Sequence, residues 1–155
     1  MFVEASDWMV LLARMAVAMA AGLAIGLDRQ LAGKPAGMRT HMLVALGAFL
    51  FVMVPVAQNS SGEALSRAIQ GVATGVGFLG GGEILHHFRS DTEHAKVKGL
   101  TSAAAMWLTA ALGVVAACGL WRTVLLAVVA ALFVLTALKP IERRLFPKHV
   151  EDDEG

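Results

Sequence analysis

The sequence predicts an all-α membrane protein, a bundle of five transmembrane helices. Three observations point there. Apolar residues make up 57% of the 155-residue chain and charged residues 16%, against about 25% charged in a soluble domain. Mean hydropathy is +0.66. Five apolar runs approach the length of about 17–25 residues that a helix needs to cross a hydrocarbon core of about 30 Å.

The runs are 8–27, 41–57, 68–85, 100–118 and 123–138. The fourth and fifth hold no charge, the first only Arg14 and the third only Glu83. A soluble protein would have to bury all five, with too little polar surface to cover them. Lipid offers the backbone no hydrogen-bond partner, which leaves helices as the form of these spans. Residues 1–140 read as one transmembrane domain and 141–155 as a short charged cytoplasmic tail, with Lys139-Pro140 ending the fifth helix. Met1–Asp7 carries two acids and no base, unlike the positive start of a cleaved signal peptide.

Five spans place the loops alternately on two sides. One side receives Arg29, Lys34, Arg39, Arg89, Lys96, Lys98, Lys139, Arg143, Arg144 and Lys148; the other receives Arg67 and Arg122. Ten bases against two predict an outside N-terminus and a cytoplasmic C-terminus. Trp8 and Trp121 then fall at the outer boundary, where amphipathic rings sit. The balanced net charge of +1 gives no reason to expect a nucleic-acid partner. A lone cysteine, Cys118, excludes an intrachain disulfide.

Small residues repeat at four-residue spacing. Ala18, Gly22 and Gly26 do so on the first span, Gly71 and Gly75 on the third, and Ala105, Thr109, Gly113 and Ala117 on the fourth. Such stripes let membrane helices approach closely, either within the bundle or in a homodimer. The third span places Gly71, Gly75, Gly77, Gly80, Gly81 and Gly82 within twelve residues. Each interior glycine costs a helix about 1 kcal/mol relative to alanine in water. The run before Glu83 therefore either loosens the helix or serves close packing. Its G-x-G-x-x-G spelling lacks the strand and βαβ setting of a nucleotide fingerprint.

Ionisable groups in lipid are functional candidates. Arg14 either snorkels outward, toward Asp7, or forms a buried ion pair. Trp107 is expected in the core. On the inner side Asp28, Arg29, Arg39, Thr40, His41, Glu83, Thr101 and Ser102 gather at four helix ends. They form either a set of interfacial ion pairs or a polar vestibule that binds an ion, with Glu83 expected on Arg39 or Arg29. Asp28 and Glu83 are the natural carboxylates for Mg²⁺. Glu83, His86 and His87 share a helix face, with His94 nearby, yet they lack a second complete ligand set. No nucleophile–base pair or cofactor cradle is present, so the chain reads as non-enzymatic.

Residues 22–29 (GLAIGLDR), 37–47 (GMRTHMLVALG), 75–82 (GVGFLGGG) and 99–107 (GLTSAAAMW) resemble, in order, the signatures of the MgtC/SapB membrane proteins. The resemblance implies a multi-pass protein of the bacterial inner membrane, linked to magnesium homeostasis. It also implies control of membrane partners, the ATP synthase among them. Asp28 stands where Glu is common, and Glu83 where relatives carry a small or apolar residue. Many members bear a soluble C-terminal domain; this chain corresponds to the transmembrane part. The expected function is modulation of ion or energy homeostasis by binding other membrane proteins. The alternative is a small dimeric transporter or channel using the inner polar cluster.

Overall fold

The computed structural model describes residues 8–88 and 99–145, with side chains described over 8–84 and 99–138. The described chain consists of five helices: α1 Trp8–Leu31, α2 Met38–Ala57, α3 Gly62–Phe88, α4 Leu100–Ala117 and α5 Trp121–Leu145. Four of them, α1, α2, α4 and α5, are long and apolar enough to cross a membrane. At 27 residues α3 has the length, but its glycines and the polar Ser66, Gln70 and Thr74 dilute its apolar character.

Four helices, α1, α2, α3 and α5, overrun the apolar runs that predict them, and three C-terminal ends are closed by specific turns. At the end of α1 the Lys34 amide donates to the Arg29 carbonyl and the Gly33 amide to Gln30, both at 3.0 Å. This Schellman pair needs a left-handed residue, which Gly33 supplies at φ 67°. The same two-bond closure recurs after α2, where Asn59 takes the left-handed position at φ 48°, and after α4 at Gly119.

One open alternative is decided and one expectation is corrected. The helix α3 runs unbroken through Gly80–Gly82. Each interior glycine weakens helix propensity by about 1 kcal/mol without forcing a break. Nor does Lys139-Pro140 end the fifth helix, which continues to Leu145; a proline removes a single ladder bond and does not force a stop.

The helices alternate in direction from α1 to α4, as close contacts require. Gly22 and Gly26 of α1 face His41–Met42 and Met38 of α2, Gly113 of α4 faces Ala45 of α2, and Gly80 of α3 faces Ala103 of α4. The centre of the bundle is the α1/α2/α4 seam, with Ala18, Ile25, Phe49, Val52 and Ala117 fully buried. A β-carbon at Gly26 would stand 2.7 Å from Met38 Cα, and one at Gly113 would overlap the Ala45 carbonyl oxygen. The small-residue stripes of the first and fourth spans are thus consumed by packing inside the chain. Outward, Leu43, Phe51, Phe78, Trp107, Leu126 and Phe133 are exposed, the arrangement expected where the solvent is hydrocarbon. Trp107 accordingly faces out of the bundle rather than into the core.

Candidate functional site

Three polar groups are drawn into the α1/α2/α4 seam. The first is Arg14. Its Nη1 donates to the Ala117 carbonyl at 3.0 Å, and a β-carbon at Gly119 would lie 2.8 Å from its Nη2. The turn at Gly119 closes the Val115 and Ala116 carbonyls and leaves that of Ala117 for the arginine. A cation at a helix C-terminus also meets the negative end of the macrodipole. Arg14 therefore caps α4; Asp7, its expected outer partner, lies outside the described residues.

The second group is the Asp28–Arg29 pair at the end of α1. Arg29 donates from Nε at 2.9 Å and from Nη2 at 2.5 Å, both to Asp28 Oδ2. Arg29 is 5% exposed, so its charge is matched where water cannot screen it. Of the partners expected for Glu83, Arg39 or Arg29, the second is paired with Asp28, and α1 and α3 are not packed against each other among the described residues. Glu83 sits half-buried on α3.

The third group is His41, fully buried in the first turns of α2. Its Nδ1 lies 2.9 Å from Thr109 Oγ1 on α4, and the Thr109 hydroxyl donates to the Ala105 carbonyl at 2.8 Å. With that hydroxyl proton committed, the threonine oxygen accepts and Nδ1 carries the imidazole proton. His41 Nε2 is buried with no close hydrogen bond, and the Ala36 backbone is among the ring's polar neighbours. The Arg29 guanidinium is its electrostatic neighbour. Thr109 entered the sequence reading only as a member of a small-residue stripe. A hydroxyl inside such a stripe is the signal that could have marked it.

The remaining members of the predicted inner cluster do not converge here. Arg39 and Thr40 are exposed at the start of α2, and Thr101 is exposed, about 12 Å along α4 from Thr109 at 1.5 Å per residue. Ser102 is buried. Among the described residues no three His, Cys, Asp or Glu side chains gather as a metal set. The side chains of His86 and His87, and residue His94, lie outside the described residues. Of the six glycines singled out on α3, Gly80 alone meets a neighbour, Ala103; a β-carbon on Gly71, Gly75, Gly77, Gly81 or Gly82 would meet nothing within 4 Å.

Residues 15–144 match the model of the MgtC family. The chain is 47% identical to SrpB of Synechococcus elongatus over 149 residues, covering 92% of this chain and 82% of that protein. It is 36% identical over 133 residues to YhiD of Escherichia coli, described as a putative magnesium transporter, covering 81% of this chain and 59% of that one. It is 37% identical over 97 residues to MgtC of Salmonella typhimurium, covering 63% of this chain and 38% of that one. The chain thus spans most of SrpB but little more than half of YhiD. No solved structure matches it.

Proposed function

Because this chain belongs to the MgtC family of bacterial membrane proteins, we propose that it modulates magnesium-linked ion or energy homeostasis by binding another protein of the inner membrane, without catalysis. The observation that carries the reading is the engagement of the seam's polar groups within the chain. Arg14 is spent on the Ala117 carbonyl, Arg29 on Asp28 and His41 on Thr109. A tightly sutured core with an outward face rich in exposed Leu, Phe and Trp suits a protein that presents a fixed surface to a neighbour in the bilayer. The basic loops belong to the cytoplasm in this reading, with the N-terminus outside. The magnesium link comes from the name borne by YhiD, a putative magnesium transporter.

The test is purification of the tagged chain from gentle detergent, at low and high Mg²⁺, with mass spectrometry of the membrane proteins that accompany it. A specific companion whose recovery changes with Mg²⁺ supports modulation. Recovery of the chain alone under both conditions overturns it.

One observation bears on a second reading, a small transporter: His41 Nε2 is a buried polar atom of the seam to which no hydrogen bond is made. Ion flux in proteoliposomes that disappears with His41→Gln or Asp28→Asn supports transport.

A further inference from the structure

The helix α3 packs on α4 and splays from α2, leaving an apolar groove of about 670 Å³ along the α2/α3 side of the bundle. Its walls run from Thr40 to Phe51 on α2 and from Ala68 to Leu79 on α3, with Gly47 and Gly75 in the floor. A β-carbon at Gly47, Gly71 or Gly75 would meet nothing within 4 Å, so these glycines make room that no part of the described chain fills.

Two features say what fits. The first is length. Eleven helical steps at 1.5 Å give about 16 Å, close to the roughly 15 Å of one leaflet, half of the hydrocarbon core. A partner's transmembrane helix, about twice that length, would extend well beyond the groove. The second is polarity at one end. The groove opens at Thr40, on the first turn of α2, where Gln30 Oε1 takes the Met38 amide at 3.3 Å and the amides of Arg39 and Thr40 come next along the turn. Helix N-termini leave amide donors unsatisfied and carry partial positive charge, which suits phosphate. Arg39 stands exposed on that turn, and Lys34 is exposed in the preceding loop. Glu83 lies one turn beyond Leu79 on α3, at the same end given the helix directions. Recognition there rests on placement of the phosphate rather than on net charge.

We propose that the α2/α3 groove holds one phospholipid of the adjoining leaflet. An acyl chain lies along Gly47, Gly71 and Gly75, and the phosphodiester sits at the α2 N-terminus on Arg39 and Thr40. The site is independent of the seam and of any protein partner.

Native mass spectrometry of the full-length chain in mild detergent tests it, with phosphatidylglycerol and the diacylglycerol of the same acyl chains as probes. One phosphatidylglycerol is expected to remain bound where diacylglycerol is lost. Arg39→Gln is expected to weaken retention about tenfold, the scale of one charge-assisted hydrogen bond. Gly75→Leu, which fills the floor, is expected to abolish it. Unchanged melting temperatures of both variants establish that they fold, and Gly47→Leu serves as a second filling variant should Gly75→Leu unfold. Equal retention of the two lipids, or retention unchanged by the filling variants, overturns the proposal. So does a dimer dispersed by those variants, which would make a second copy the occupant.

Discussion

Arg14 reaches across 103 residues of sequence to cap the carbonyl of Ala117, pinning the end of α4 to the first helix. The contact ties a charge that lipid disfavours to a helix terminus that lacks a partner, so each relieves the other. Replacing Arg14 with Ala orphans the carbonyl and is expected to destabilise the protein by about 1–3 kcal/mol. Thermal unfolding in detergent reads this as a lower Tm, with Arg14→Lys falling between the two.

The His41–Thr109 bond makes a sharper prediction. Thr109→Val keeps the shape but leaves a buried N–H without an acceptor, at a cost of about 1–3 kcal/mol. His41→Met in the Thr109→Val background should recover part of that loss. A double-mutant cycle is expected to return a coupling of about 0.5–3 kcal/mol; additive effects would mean the pair is not linked.

The glycines divide into two classes that substitution separates. Gly26→Ala and Gly113→Ala drive a methyl into backbone of α2 and should cost about 1–3 kcal/mol. Gly77→Ala has open space and should be neutral or stabilising by up to about 1 kcal/mol from helix propensity. Melting curves of the three variants, measured in one detergent, decide it.

Orientation is tested by reporter fusions. Joined in the loop at Lys34 and in the turn at Asn59, they are expected to report cytoplasm and periplasm respectively. The reverse pattern would defeat the loop-charge argument.

Much of the fold was legible because run length and the absence of charge speak directly to a bilayer. The ends were less so: α1 runs on to Leu31, where Gly33 closes it by backbone geometry rather than hydropathy, α2 starts ahead of its apolar run, and α3 extends past both ends of its own. The glycines of α3 left two readings open, a loosened helix or close packing; the helix is continuous, and of the six only Gly80 meets a neighbour. At the site, the charged residues could be named but not paired. Arg29 chose its neighbour Asp28, and Arg14 found a backbone oxygen, an acceptor every residue possesses and no side-chain pattern reveals. Thr109 escaped notice because helix register between α2 and α4 is set by Gly113 meeting Ala45, a fact of packing. Trp107 was misplaced for the same reason: the side of α4 that faces outward follows from which neighbours it receives.

The account rests on association rather than conduction. Its most direct test is Mg²⁺ flux into proteoliposomes holding the purified full-length chain. Flux indistinguishable from that of protein-free liposomes is predicted. Flux well above that background, lost on Asp28→Asn, would contradict it.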